Sequence, residues 1–388
     1  MAKPKKFGSI FSGGGGFDTG MVAAGWDPVF GIDMDPVAAN VYRMNIGGHL
    51  IEENVLKLDP TQLLQHGLIG EVDLLHLSPP CPRFSTANSA SGETQFDINM
   101  AKKGCEFIAL LRPRIVTIGN VLEYRNSHSL DGILKLLYVY GYQVGVFNVN
   151  LADYGVPQTR KRMFLIARLD KTPVLPWPTH EEDPRPGLFS TATPWVGWYE
   201  AIADMVDQLP DDKFAEWQLK LLPNDFRTIL APGANATSFP YRHANEPSFV
   251  IADTKKSNAN RAFIETQNTA RDATICLEHQ PATTVTVSGM TRPSHQRIID
   301  RGRTVRLISR ALARLQGFPD SYVFPQCSSA QAKKKMAKYK VNGVRPDPIV
   351  GSFAIEHINI DDTAAALVIG NAVPPLFAQR LGEKFMGE

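Results

Sequence analysis

Phe7-Gly8-Ser9-Ile10-Phe11-Ser12-Gly13-Gly14-Gly15-Gly16-Phe17 follows a short basic lead, Met1-Ala2-Lys3-Pro4-Lys5-Lys6. Phe7 to Phe11 reads as a strand and a helix is expected to begin near Thr19, so the glycines occupy a strand-to-helix turn. Glycine lets the backbone turn tightly there and come close to a ligand. The exposed N–H groups of a helix start suit a carboxylate or a phosphate. Asp33 ends the next apolar run, Val29 to Asp33, where an acidic side chain can accept hydrogen bonds from ribose hydroxyls. No second mononucleotide half follows, as a dinucleotide would need. A nucleoside cofactor such as S-adenosylmethionine therefore fits better than NAD.

Working outward, strands are expected at Val72 to Leu77, Ile115 to Ile118, Gln143 to Val149 and Arg162 to Ala167. Asp97 to Leu111 and Leu130 to Tyr140 read as helices, the second because Ile133, Leu136 and Leu137 recur at helical spacing. This is the βαβ rhythm of a mostly parallel sheet. The fold class is read as α/β, a doubly wound Rossmann-like domain carrying a smaller second one. After Leu169 the character changes. Proline is frequent from Pro173 to Pro194, and Trp177, Trp195, Trp198 and Trp217 read as core anchors of a small subdomain. A helical pattern returns at Thr304 to Leu315 and stops at Gly317-Phe318-Pro319. An insert from about Val323 to Asp362 carries Lys333, Lys334, Lys335, Lys338 and Lys340, read as a solvated helix face. The last element, Ala364 to Phe385, is largely apolar.

The chain has 388 residues, enough for one large domain with a satellite or for two domains. Its 43% hydrophobic and 21% charged residues exclude a disordered or fibrous chain. A net charge of only +2 means that any nucleic-acid binding must come from local basic patches. No stretch is apolar enough to cross a bilayer and no signal-peptide pattern is present, so a cytoplasmic protein without membrane partners is expected. The four cysteines, Cys81, Cys105, Cys276 and Cys327, lie far apart, which gives no metal site and no disulfide framework. Cys105, Cys276 and Cys327 read as reduced structural cysteines.

Cys81 is different. It stands in Ser78-Pro79-Pro80-Cys81-Pro82-Arg83-Phe84-Ser85, directly after the strand Val72 to Leu77. The prolines stiffen the loop and remove backbone donors, and the strand end lifts the thiol towards the edge where open α/β sheets bind ligands. Read alone, this stretch leaves two readings open, a nucleophile and a plain turn.

Taken in order, these stretches resemble the cytosine-5 DNA methyltransferases of bacterial or phage restriction-modification systems. Phe11 to Phe17 is similar to the family's first motif, Pro79-Pro80-Cys81 to its nucleophile motif and Gln158-Thr159-Arg160-Lys161-Arg162 to its paired-arginine motif. Arg314-Leu315-Gln316-Gly317-Phe318-Pro319-Asp320 resembles the ninth motif, and Gly370-Asn371-Ala372-Val373-Pro374 the tenth. The resemblance implies that Cys81 adds to C6 of a flipped cytosine, making C5 nucleophilic enough to take a methyl group from S-adenosylmethionine. It implies that Arg162 and Arg160 organise that base, and that Phe11, Gly13, Gly14, Gly16, Asp33, Met34, Asn54, Val55, Pro80, Asn371 and Val373 line the cofactor. It further implies a catalytic domain over 1–172, a target recognition domain over 173–294, and a return segment over 295–388. Double-stranded DNA is the implied partner and the chain is expected to act as a monomer, without a metal. Arg83, Ser85 and Asn88 in a polar loop, with Arg227, Arg242, Lys255 and Arg261 in the recognition region, are DNA-binding candidates; Lys256 and Arg271 join them by charge.

The chain departs from the family at Ile118-Gly119-Asn120-Val121, where the family carries Glu-Asn-Val. Asn120 and Val121 match, so Gly119 stands where a carboxyl should meet the cytosine ring. This reads as an engineered substitution that reduces activity, with a natural variant as the other account. The position is expected to face an open pocket. Pro82 replaces a usual Gln and Asp33 a usual Glu. Two alternatives stay open: a DNA-binding homologue with little or no activity, and a tRNA cytosine-5 methyltransferase.

Overall fold

The computed structural model describes residues 5–80, 93–184, 192–222, 261–266, 273–285, 296–300, 303–324 and 362–388. Seven strands form the main sheet: β1 (Lys6–Ile10), β2 (Asp27–Asp33), β3 (Leu50–Glu52), β4 (Leu74–Leu77), β5 (Ile115–Asn120), β6 (Gln143–Asn150) and β7 (Lys161–Arg168). Their order across the sheet is β3-β2-β1-β4-β5-β7-β6. The first five pair in parallel, and β7 runs antiparallel between β5 and β6. The residues dictate this. β4 and β5 are buried at every position, as strands covered by helices on both faces must be. The chain leaves β1 towards β2 on one side and later enters β4 on the other. The carboxyl ends of β1 and β4 therefore flank a switch point, where open α/β sheets bind ligands. The doubly wound expectation is confirmed.

Helix α1 (Gly16–Ala23) packs against the C-terminal helix α10 (Pro375–Met386). A side chain at Gly20 would lie 2.6 Å from Ala378 Cβ, so glycine sets how closely these helices approach. The other face is covered by α4 (Gln95–Leu111) and α5 (His128–Val139). Thr94 caps α4 through a reciprocal capping box with Asp97.

A second sheet, antiparallel, has the order β11 (Thr274–Leu277), β10 (Arg261–Glu265), β12 (Gln296–Asp300), β13 (Arg303–Arg306). Its inner face, Phe263, Ile298 and Val305, shares one core with Trp198, with Val37 and Val41 of α2 (Pro36–Asn45), with Leu312 of α8 (Ser309–Leu315), and with Ala366 and Ile369 of α9 (Asp362–Asn371). The second sheet is thus anchored to the first through α2 and the returning helices.

Three expectations change. The helical pattern from Thr304 to Leu315 divides, because Arg303–Arg306 pairs with β12 and the helix starts only at Ser309. Pairing with a neighbouring strand overrides a local period that a short segment satisfies either way. The final apolar segment is two helices, broken at Ala372-Val373-Pro374, with Pro375 opening the second. Trp177 is 87% exposed and anchors nothing, whereas Trp198 is fully buried.

Candidate active site

At the end of β1 the backbone enters the left-handed region at Phe11 (φ 60°) and Gly13 (φ 54°). For a phenylalanine this conformation costs on the order of 1–3 kcal/mol, a strain found mainly where function requires it. A side chain at Gly13 would meet nothing within 4 Å, so the loop opens there onto free space. The Gly13 N–H donates to Asp33 Oδ2 at 2.7 Å, and the Asp35 N–H to Asp33 Oδ1 at 2.9 Å. Asp33 therefore binds the glycine loop to the start of α2 while standing at the mouth of β2. Burial pushes its carboxyl above the ordinary range, opposed by those amide hydrogen bonds. The Met34 side chain beside it is 43% exposed. Asn54 caps the single turn Val55–Lys57 through a bond from the Leu56 N–H, and Val55 is buried.

The remaining loop glycines serve packing. Gly14 sits against Val368 and Tyr322, whose hydroxyl donates to the Gly14 carbonyl. A side chain at Gly16 would fall 2.6 Å from the Val373 carbonyl oxygen. The same Val373 reaches across to β5, where its Cγ2 would lie 3.3 Å from a side-chain carbon at Gly119. Val373 thus joins the first loop to the end of β5. Asn371, two residues earlier, is exposed.

The exits of β4 and β5 are tied together. Asn120 Nδ2 donates to the Pro79 carbonyl at 3.2 Å, and Ser78 Oγ to the Gly119 carbonyl at 3.2 Å. Pro80 follows at the rim, and Cys81 lies outside the described residues. Gly119 is not at an open strand end. β5 continues to Asn120, and Gly119 pairs with Phe164 of β7. A side-chain carbon there would lie 3.0 Å from Phe164 Cζ. The expectation of an open position is corrected: Gly119 is buried, flanked by Phe164 and Val373. Glu123 is exposed, on the turn Leu122–Asn126.

The two arginines read as partners have different surroundings. Arg162 is partly exposed at the mouth of β7, next to Met163, which pairs with Asn120. Arg160 is 3% exposed and donates to the carbonyls of Val285 at 3.1 Å, Gly370 at 2.7 Å and Ala372 at 3.4 Å. Gln158 helps, accepting from the Val285 N–H at 2.8 Å and donating to the Leu315 carbonyl and to Gln316. Gln316 in turn donates to Ala372 O at 2.9 Å. Arg160 therefore clamps the return segment onto β7 rather than facing the pocket. Gln158 and Gln316 were legible only as parts of motifs, without this role. Arg160→Ala is expected to lower unfolding free energy by about 3 kcal/mol or more, since several buried carbonyls lose a charged donor. Chemical denaturation monitored by circular dichroism would measure it, and a loss under about 1 kcal/mol would contradict the clamp.

Of the DNA-binding candidates, Arg261 is paired with Asp300 at 2.5 Å and lies over the Tyr199 ring, so its charge is spent within the second sheet. Arg83, Ser85, Asn88, Arg227, Arg242, Lys255, Lys256 and Arg271 fall outside the described residues, as do Cys327 and the lysine-rich insert. Burial pushes the Cys105 and Cys276 thiols up to about 11, which keeps them protonated and unreactive near neutral pH. Among the described residues no group of three or more His, Cys, Asp or Glu is placed to hold a metal, and no helix is long and apolar enough to cross a membrane.

A seven-stranded, doubly wound sheet with a glycine loop at its switch point and the Pro79-Pro80 exit of β4 beside it defines an α/β protein of the class that binds ligands at the carboxyl edge of its sheet. Its family follows from comparison: the C-5 cytosine-specific DNA methylases match over residues 5–343, and the chain belongs to that family. It is 25% identical over 382 residues to the type II methyltransferase M1.HphI of Haemophilus parahaemolyticus, covering 96% of this chain and 84% of that protein. Over 224 residues it is 30% identical to M.AquIA of a Picosynechococcus strain, covering 53% of this chain and 89% of the relative. The fold is similar to that of the Entamoeba histolytica methyltransferase EhMeth, with a TM-score of 0.55 at 13% identity, covering 100% of this chain and 99% of the other.

Proposed function

We propose that this chain transfers a methyl group to C5 of cytosine within a specific sequence of duplex DNA, with Cys81 as the nucleophile. The observation that supports this most is the convergence of three segments on one edge of the sheet. The open glycine loop, the Pro79-Pro80 lead into Cys81 and the Gly119-Asn120 exit meet there, with Val373 touching the first and the last. S-adenosylmethionine fits the residues present, because Gly13 faces free space and Asp33 and Met34 stand beside it. When bound, it supplies an electrophilic methyl group. Phe11, Gly13, Asp33, Met34, Asn54, Pro80 and Asn371 would hold it, while Gly14, Gly16, Val55 and Val373 support them by packing.

The thiolate of Cys81 adds to C6 of the extruded base, and once C5 carries the methyl group, loss of the C5 proton restores the C5–C6 double bond and expels the Cys81 thiolate from C6. Arg162, at the mouth of β7, would hold the base. The second sheet and the region preceding it would read the duplex. Gly119 leaves the ring without the carboxyl that the family resemblance expects, so slow turnover is part of the proposal.

Incubation with mixed-sequence duplex DNA, with tRNA, and with methyl-labelled S-adenosylmethionine tests the reading. The expected product is 5-methylcytosine in DNA. Label in tRNA alone, or in neither, would overturn it.

Asp33→Ala is expected to weaken S-adenosylmethionine binding by about 1.5–3 kcal/mol, the scale of hydrogen bonds to a charged group. Part of that loss would come from the Gly13 amide, which loses its anchor. Titration calorimetry checks this, and an unchanged affinity would remove Asp33 from the cofactor site.

A further inference from the structure

A histidine stands inside an otherwise apolar strand. His76 of β4 is 1% exposed and lies flat on Phe17, with ring centroids 3.6 Å apart and planes 6° from parallel. Its Nδ1 is 2.9 Å from Thr117 Oγ1 on β5, and its Nε2 is 3.1 Å from Ser78 Oγ. Ser78 Oγ donates to the Gly119 carbonyl. A carbonyl only accepts, so the Ser78 hydrogen is committed to it, and the Ser78 oxygen must accept from Nε2–H. Nδ1 is then bare and accepts from the Thr117 hydroxyl. Burial, which pushes His76 down to about 3, keeps the ring neutral and consistent with one donor and one acceptor.

We propose that His76 is a positioning residue for the nucleophile loop, holding Ser78 in a one-way hydrogen-bond chain from Thr117 through His76 and Ser78 to the Gly119 carbonyl. The proposal rests on the reading of Cys81 as nucleophile and adds to it what aims the loop. A leucine would fill the same space without the cost of burying two ring nitrogens. A histidine that served packing alone would have no reason to spend one ring nitrogen on Ser78, at the exit of β4, and through it reach the Gly119 carbonyl near the end of β5. Here Ser78 lies three residues before Cys81, and Gly119 stands one residue before the end of β5. Each polar group in the chain is satisfied, the condition under which a buried network fixes one geometry. Asn120 adds a second tie, to the next residue of the same loop.

Nitrogen-15 NMR of the full chain reads the chain of bonds without turnover. The expected signature for His76 is a neutral ring with a proton on Nε2 and a bare Nδ1. A proton on Nδ1, or a cationic ring at neutral pH, would overturn the proposal. The second arm is single-turnover methylation of mixed-sequence bacterial genomic DNA with tritiated S-adenosylmethionine. Ser78→Ala is expected to slow the transfer by about tenfold or more, as loss of alignment does, with an unchanged KM for S-adenosylmethionine. Ser78→Thr, which keeps the hydroxyl, is expected to restore the rate. A Ser78→Ala rate equal to that of the parent sinks the positioning role even if the tautomer is as expected. Absence of transfer in parent and variants alike would instead strike the methyltransferase reading, and the loop-aiming role with it, while the NMR arm still decides the direction of the bonds.

Discussion

Gly119→Glu is expected to raise the single-turnover rate of duplex DNA methylation by about 10²–10⁴-fold, the usual worth of a positioned acid–base group. The motive is local and chemical. Asn120 and Val121 keep the family's sequence, and Asn120 keeps the exit of β5 bound to Pro79. What is missing is the carboxyl beside them. The structure adds a cost that is invisible in the sequence. The new side chain begins 3.0 Å from Phe164 and 3.3 Å from Val373, and Phe164 is itself held edge-on against Phe377 at 4.7 Å between centroids. Crowding of this kind costs about 1–3 kcal/mol of stability. Gly119→Ala separates the two effects, since it brings the crowding without the carboxyl; it should be destabilised but no faster. Thermal unfolding and single-turnover rates of the parent and both variants measure them. A Glu variant that folds, binds cofactor and DNA, and methylates no faster would show that the pocket works without that carboxyl or does not catalyse.

Cys81→Ser is expected to abolish methyl transfer, and the comparison is sharpest in the Gly119→Glu background, where the starting rate is higher. A serine hydroxyl is far from ionised at neutral pH, whereas a thiol with nearby positive charge supplies the thiolate that adds to C6. Cofactor affinity should be nearly unchanged, because Phe11, Gly13 and Asp33 come from other elements. Duplex DNA containing 5-fluorocytosine should trap a covalent adduct when Cys81 is present and none with the serine variant. Mass spectrometry of the adduct identifies the residue. Full activity in the serine variant would refute covalent catalysis at this position.

Much of the fold was legible along the chain because parallel strands covered on both faces read as continuous apolar runs. Lys6–Ile10, Asp27–Asp33, Leu74–Leu77 and Ile115–Asn120 all carry that signal, and the α/β class follows from their alternation with helical segments. The three-residue strand Leu50–Glu52 carries too few residues to show any period. Gly13 and Asp33 were also legible, since a glycine turn and an acidic strand end are local features. Cys81 and Gly119 stood out by their motifs alone.

Other roles depend on partners that no local pattern names. Arg160 and Arg162 are near neighbours in sequence and look equivalent, yet Arg160 spends its donors on carbonyls 125 to 212 residues away and Arg162 stays partly exposed at the start of β7. Gly119 looked like an open strand end until β7 supplied Phe164 and the C-terminal segment supplied Val373. Arg261 looked like a free cation until β12 brought Asp300 to it. His76 read as one more residue in an apolar run, and only the pairing of β4 with β5 brings Thr117 to its Nδ1. The physical reason is the same in each case. Periodicity and turn chemistry act over a few residues and are written in sequence. The partner of a buried polar group is chosen by which strands become neighbours, and that is settled only when the whole sheet closes over its core.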